Sequence, residues 1–151
     1  MTYLSEDDEV KVVTDTTSTA RPEPARVLDG ADILRTQDYV RQVLIADEVA
    51  RYAVRLTDNS RPGRGAKLDF VQKWVKWGAG LRASHALVLG AKARALIHGR
   101  LHVAVKDIQA LAKPILRHRI IPNFYAEAEG INPERIIEQL IETVPLPKSG
   151  L

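Results

Sequence analysis

Apolar residues recur at helical spacing along most of the chain, and the pattern is densest from Ala83 to Ile97. Two apolar stripes run along this stretch, one of larger and one of mainly small residues (Ala83, Ala86, Leu89, Ala93, Leu96 and Ile97; Ser84, Val88, Ala91 and Ala95). A helix that is apolar on two sides is usually buried between neighbours, and small side chains let helix axes approach to about 8–10 Å. The pattern therefore predicts a central helix around which the others pack.

The same period predicts further helices on both sides of the central one. These segments are about Asp29 to Val43, Ala46 to Leu56, Leu68 to Trp77, a stretch from Ile108 that Pro114 ends or restarts, and Asn132 to Val144. The last segment has the clearest helix signals, because Asn132 is a favourable N-cap and Pro133 suits the first helical position. No alternating pattern typical of a strand persists anywhere. The sequence therefore predicts an all-α fold, a helical bundle of about six or seven helices.

The N-terminal part of the chain differs from the rest in composition. Ser5 precedes four acidic residues, a favourable start for a short helix that we expect within residues 1–13. Residues 14–27 are rich in threonine and proline, which is typical of a linker. The helical domain is therefore expected in residues 28–147.

The net charge of +3 conceals an uneven distribution of charged residues. Residues 1–60 contain 7 Lys and Arg against 12 Asp and Glu, residues 61–125 contain 13 against 2, and residues 126–151 contain 2 against 5. A block this cationic indicates an anionic partner, either nucleotide phosphates, nucleic acid or an acidic surface of another subunit.

One cation stands where a helix disfavours it. Arg82 lies in the first turn of the central helix, after Gly78, Ala79 and Gly80. The positive end of a helix destabilises a cation by up to about 1 kcal/mol, whereas it attracts an oxyanion through free backbone N–H groups. An arginine beside such an anion adds bidentate, charge-assisted hydrogen bonds. The pattern is therefore compatible with two interpretations, a phosphate group bound beside Arg82 or a surface arginine whose side chain bends into solvent.

Two other local patterns do not support a site. The glycine-rich segment ending at Lys67 lacks the spacing of a P-loop, and no hydroxyl residue follows the lysine. His98 and His102 are four residues apart, but Gly99 between them interrupts the single helix that a metal pair would need. We therefore predict no metal ligands and no catalytic residues in this chain alone.

Composition also bears on where the protein works. The chain has no cysteine, which excludes disulfides and thiol chemistry. Charged residues interrupt the apolar stretches well before the roughly 18 residues that a spanning helix needs, and the N-terminal segment is acidic where a signal peptide is basic. We therefore expect a cytoplasmic protein without a membrane span.

Several motifs taken together resemble a known family. The stretches are WGAGLRASHALVLGAKARALIHGRLHVAVKDIQALAKPILRHRI, AEAEGI and NPERIIEQLIETVPLP. They are similar to the C-terminal helical lid of MoxR-type AAA+ ATPases, and the resemblance covers about Leu28 to Pro147. It implies that Arg82 is the sensor-2 arginine, the lid residue that reaches the γ-phosphate of ATP. Two departures, Gly80-Leu81 for the family's Ser-Pro and Ala104 for a capping threonine, are expected to weaken local order.

The resemblance has wider implications. It implies that residues 1–13 are the tail of an AAA+ core domain. It also implies that the lid works with that core and with neighbouring subunits of a hexameric ring, with ATP and Mg²⁺ at the subunit boundaries. It also implies chaperone-like work beside a protein with a von Willebrand factor A domain. Because the chain has no Walker A or Walker B motif, we expect no ATP hydrolysis by the chain alone.

Two alternatives remain open on the sequence. The first is a basic helical module that binds nucleic acid, for which Arg117, His118, Arg119 and Lys113 would supply a cationic cluster. It is disfavoured because no recognition-helix motif is present. The second is a structural or oligomerisation domain whose basic surface meets the acidic flank of a neighbouring subunit.

Overall fold

The computed structural model describes residues 3–19, 23–65 and 68–147, and the chain forms two compact units, Met1–Ile33 and Leu34–Leu151. The described residues form eight helices and two short strands: α1 Glu6–Thr17, α2 Gly30–Gln42, α3 Asp47–Asn59, α4 Asp69–Trp74, β1 Val75–Trp77, α5 Leu81–Ile97, α6 Val105–Leu116, β2 Ile121–Pro122, α7 Phe124–Ala128 and α8 Pro133–Thr143. The all-α prediction is confirmed. Residues 20–22 of the expected linker and residues 66–67 of the glycine-rich segment lie outside the described residues.

The first unit contains α1, which begins as expected but runs further than residue 13. The Ser5 hydroxyl oxygen caps the helix by accepting a hydrogen bond from the backbone N–H of Asp8 at 3.3 Å. At the other end, the hydroxyl groups of Thr14 and Thr17 donate to the carbonyl groups four residues earlier, which satisfies them within the helix. The threonine-rich stretch is therefore helical as far as Thr17. The division into a core tail, a linker and a lid stays a prediction.

In the second unit α5 is central, packed mainly against α6 and also against α3. Its fully buried apolar residues are Ala83, Leu87, Ala91 and Ala95, which form one line at a spacing of four. The predicted pair of stripes is therefore wrong in detail, since Ile97 is 82% exposed. Gly90, next to Ala91 of this line, lies close to α6. A β-carbon added to Gly90 would lie 3.0 Å from a methyl group of Leu111.

The last helix, α8, has the form that its sequence predicts. The Asn132 side-chain oxygen accepts a hydrogen bond from the backbone N–H of Arg135 at 2.9 Å, and Pro133 occupies the first helical position. The buried face consists of Ile136, Ile137 and Leu140. This face packs against α6 and, over a smaller area, against α3 and α4. The helix therefore closes the core of the second unit.

The described residues also include two short strands, for which the sequence shows no pattern. Strands β1 and β2 pair in an antiparallel sheet, with Val75 opposite Pro122 and Trp77 opposite Ile121. Strands of three and two residues are too short for an alternating pattern to be visible in the sequence. The sheet turns the chain from the end of α4 toward the start of α5, and it thereby positions the segment that precedes Arg82.

Candidate functional site

Arg82 lies where the sequence predicts it, as the second residue of α5. Gly80 is the N-cap, with extended backbone, and no side chain accepts a hydrogen bond from the first turn. The Arg82 side chain is exposed, whereas the backbone of the next residue is bonded to Gly80 through an N–H to carbonyl contact of 2.9 Å. The first turn thus combines an uncapped positive helix end with a solvent-accessible guanidinium group.

The residue that precedes this turn, Ala79, is fixed through both of its backbone polar groups. Its N–H donates to the Ser60 hydroxyl oxygen at 2.9 Å, and its carbonyl oxygen accepts from Arg61 Nε at 2.7 Å. Ser60 and Ala79 are both completely buried. The loop after α3 is therefore bonded directly to the start of α5, and we call this set of contacts the Ala79 clamp.

Gly78 lets the two segments of the clamp approach closely. A β-carbon at this position would lie 2.3 Å from the Ser60 carbonyl oxygen and 2.7 Å from the Arg61 α-carbon. Real β-carbons do not come this close to backbone atoms, so any larger residue would force the segments apart. Gly78 is not among the glycines with positive φ, so its backbone conformation does not require glycine. The close approach of the two backbones does.

A cavity of about 540 Å³ opens beside the clamp. Three cationic side chains and an indole ring contribute to its lining, together with backbone that leads into α5 (Arg61, Pro62, Arg64, Lys76, Trp77 and residues 78–81). Arg82 is the next residue along the helix. Because guanidinium and ammonium groups are donors to phosphate oxygens, this surface suits a polyanionic ligand.

Several cations elsewhere in the basic block, though not all of them, are paired with acidic residues of the same chain. Lys113 pairs with Glu138 at 2.6 Å and Arg117 pairs with Glu134 at 3.5 Å, both across to α8. The ion pair with Lys113 lowers the pKa of the Glu138 carboxyl group, and the bond to Glu138 raises the pKa of Lys113. The cluster that motivated a nucleic-acid module is thus partly neutralised within the chain.

Several cations near the start of α5 have no such partner among the described residues. Arg64, Lys76 and Arg82 form no ion pair with any residue in the described ranges. Arg61 is paired with Asp58 at 3.1 Å. Uncompensated positive charge therefore lies near the end of α5 where the helix dipole is also positive, which is an arrangement that attracts an anion.

The other end of α5 contains a compensated charge cluster. Arg100 Nη1 and Nη2 donate to the two carboxylate oxygens of Asp107 at 2.8 and 2.7 Å, and Arg94 Nε lies 3.4 Å from the same carboxylate. The backbone N–H of Ala104 also donates to Asp107, at 2.8 Å. The hydrogen bond from Arg100 is the main reason why the pKa of Asp107 is lowered, and burial opposes it. Asp107 therefore supplies one half of a capping box, and the other half, which a threonine hydroxyl at position 104 would supply by accepting from the Asp107 N–H, is absent.

The histidine pair is not arranged as a metal site. His98 ends α5 and its Nδ1 lies 2.8 Å from the Arg94 carbonyl oxygen, Gly99 has a φ of 69°, and His102 belongs to an isolated bridge with Leu44. No group of three or more His, Cys, Asp or Glu side chains that could hold a metal occurs within the described ranges. The residues at the start of α5 thus fit phosphate, and their donor set does not fit Mg²⁺, which prefers carboxylate and water oxygens.

The sequence indicates Arg82 as a candidate, but it does not show that Ser60, Arg61 and Lys76 lie near the start of the same helix. Ser60 and Arg61 contact Ala79 across 19 and 18 positions of the chain. Nothing in a local pattern signals contacts of this range. The charge excess in residues 61–125 was the available signal for Lys76, but it did not distinguish this lysine from the cations that are paired elsewhere.

None of the described helices is long and apolar enough to cross a membrane.

Comparison with known proteins identifies relatives of the chain. The model of the AAA lid domain family matches residues 71–140. Chaperone MoxR1 of Mycobacterium tuberculosis is 31% identical over 127 residues, which cover 84% of this chain and 34% of MoxR1. YeaC of Bacillus subtilis, an uncharacterized protein, is 31% identical over 121 residues, covering 80% of this chain and 35% of YeaC.

A solved structure from the same comparison has a similar fold. The crystal structure described as a "putative ATPase" from Cytophaga hutchinsonii superposes with a TM-score of 0.84 at 30% identity, covering 98% of this chain and 45% of that one. The chain spans about a third of the length of the curated relatives that it matches. From these matches, together with the helical fold, the chain belongs to the MoxR-like ATPase family and contains its AAA lid domain.

Proposed function

We propose that this lid closes over ATP held by an AAA+ core domain, with Arg82 as the sensor-2 residue that contacts the γ-phosphate. The observation that carries the proposal is the set of three unpaired cations, Arg64, Lys76 and Arg82, beside an uncapped helix start. Like charges collected at a positive helix end are unfavourable in the absence of an anion. A triphosphate chain provides the missing negative charge.

The chemistry follows from where charge develops. Phosphoryl transfer moves charge onto the γ-phosphate and leaving-group oxygens, and a guanidinium group directed at them stabilises the transition state. Arg82 donates in a planar, bidentate geometry, while Lys76 and Arg64 contribute a surrounding positive field. When bound, ATP supplies the phosphoryl group and Mg²⁺ neutralises its charge. We assign the Mg²⁺ ligands to the core domain, because the described part of this chain offers no cluster that could hold a metal.

The proposal includes the partners that the family resemblance implies. These are the lid's own AAA+ core, neighbouring subunits in a hexameric ring, and a protein with a von Willebrand factor A domain, with chaperone-like remodelling in the cytoplasm as the outcome. Exposed apolar residues beside the cavity support contact with another domain: Trp77 is 70% exposed and Leu81 is 80% exposed. Closure of the core over this edge would bury both side chains and exclude water from the phosphates.

Steady-state hydrolysis by the intact ATPase that contains this lid tests the proposal. Arg82→Ala should lower kcat by about two orders of magnitude or more with little loss of thermal stability, since its side chain is exposed and contributes little to the core. Arg82→Lys should restore only part of the rate, because an ammonium group cannot reproduce bidentate donation.

His85→Ala is the matched control, because this exposed residue lies one turn further along the same helix. It should leave the rate nearly unchanged. A normal rate and a normal nucleotide affinity for Arg82→Ala would refute the assignment of the γ-phosphate contact to Arg82.

A further inference from the structure

We propose that Ser60 and Arg61 are positioning residues, which set the direction of Arg82 by holding Ala79. The inference rests on the proposed function of Arg82 and extends it to the loop after α3. Neither residue lies in the segment 71–140 that matches the lid family. Their assignment comes from the contacts of the Ala79 clamp alone.

Arg82 lies in a short segment between two buried alanines. Ala79 and Ala83 are both completely buried, whereas Gly80 has no side chain and Leu81 is 80% exposed. The core fixes Ala83 on one side. On the other side, the nearest buried residue is Ala79, because Gly80 and Leu81 bury no side chain in the core.

The Ser60 hydroxyl group is oriented to accept the hydrogen bond from Ala79. It donates to the Thr57 carbonyl oxygen at 2.6 Å, which commits its proton and leaves a lone pair for the N–H of Ala79. A second residue of the α3 end, Asp58, accepts from Arg61 Nη1 at 3.1 Å and so orients the guanidinium whose Nε bonds Ala79. The end of α3 thus determines both hydrogen bonds.

The arrangement predicts that a disturbance at the end of α3 is transmitted to Arg82 with no loss of charge at the phosphate site. Arg61 also lines the cavity, so direct contact with the ligand is the competing explanation. The positioning role and direct ligand contact predict different effects of a lysine at position 61. Lysine retains the positive charge but has no Nε in the position that bonds Ala79, so Arg61→Lys separates positioning from charge.

Hydrogen exchange on the 151-residue chain tests the clamp itself. Ser60→Ala should accelerate exchange of the Ala79 amide by about tenfold, which corresponds to the loss of one buried hydrogen bond, while amides in the middle of α5 keep their rates. Unchanged exchange at Ala79, or faster exchange spread evenly over the domain, would overturn the inference.

A double-mutant cycle in the intact ATPase tests the function of the clamp. Ser60→Ala and Arg61→Lys should each lower kcat by about tenfold with KM nearly constant, and neither should lower it further when Arg82 is already alanine. Arg51→Lys is the matched control, since Arg51 lies on α3, the helix that precedes the clamp residues, and its side chain is 70% exposed. The kcat of this variant should equal that of the wild type.

The outcomes separate the two proposals. If Arg82→Ala lowers the rate but the clamp variants are normal, or lower it additively with Arg82→Ala, the positioning role is wrong and the proposed function stands. A normal rate in Arg61→Lys with a low rate in Arg61→Met would assign Arg61 to direct charge contact and likewise overturn its positioning role. If Arg82→Ala itself is normal, the proposed function fails, and the positioning role fails with it.

Discussion

Replacing Asp107 by asparagine should cost the domain a large part of its stability. The carboxylate is 2% exposed and accepts hydrogen bonds from two nitrogens of Arg100 and from the backbone of Ala104. An amide of the same shape has one acceptor oxygen, and its NH₂ group faces donors. Breaking a buried pair in this way costs about 3–5 kcal/mol, which we reduce to about 2–4 kcal/mol because Arg100 is about one-third exposed.

The same residue predicts how stability depends on pH. The pKa of Asp107 is lowered in the folded state, so the group stabilises the fold above its unfolded pKa of about 3.9, and this contribution is lost as the pH falls through the folded value. Asp107→Asn removes that contribution at neutral pH. Its loss of stability relative to the wild type should therefore be largest at pH 7 and shrink as the pH falls below about 4.

Urea unfolding followed by circular dichroism at a series of pH values measures both effects. Glu142→Gln is the matched control, because it removes one exposed carboxylate from α8 and should change stability by less than about 0.5 kcal/mol. If Asp107→Asn unfolded within about 0.5 kcal/mol of the wild type at pH 7, or if the difference grew toward low pH, the argument from the buried charge cluster would be refuted.

Two further predictions concern packing. Gly78→Ala should destabilise the domain by about 1–3 kcal/mol and shift the NMR signals of Ser60, whereas Gly80→Ala, which meets nothing within 4 Å, should cost about 1 kcal/mol or less through the N-cap and leave the Ser60 signals in place; equal shifts of the Ser60 signals would contradict the close approach. Deleting the chain from Ile131 onward removes the buried face of α8 and should abolish cooperative thermal unfolding, and a sharp transition near the wild-type temperature would show that α8 is dispensable.

Elements with local signals could be predicted from the sequence, and α8 is the clearest example. Its N-cap, its first-turn proline and its apolar face all act within one helix, so the sequence contains the complete information. The face that α5 buries could not be predicted in the same way. Alanine is compatible with either side of a helix, and the choice between Ala83 and Ala93 as core depends on where α3 and α6 lie.

The candidate site also has one part that a local pattern indicates and one part that depends on tertiary packing. Arg82 was identifiable because its conflict with the helix dipole is a property of one turn. The Ala79 clamp was not, because its partners are brought together by the packing of α3 beside α5. Ala104 lies between these cases: the absence of a capping hydroxyl is visible in the sequence, and Asp107 three residues later stands at the acidic position of a capping box, where it accepts from the Ala104 N–H.

The two ends of α5 together support the proposed anion site. At the C-terminal end the helix dipole favours cations, and the chain nevertheless neutralises Arg94 and Arg100 with the buried carboxylate of Asp107. At the N-terminal end the dipole disfavours cations, and no carboxylate in the described ranges pairs with Arg64, Lys76 or Arg82. Packing alone does not require this contrast, because exposed cations at the first turn could be replaced without disturbing the core. A polyphosphate bound at the first turn would remove the conflict by neutralising the cations and accepting from the free N–H groups at once, and that is why we place the γ-phosphate contact at Arg82.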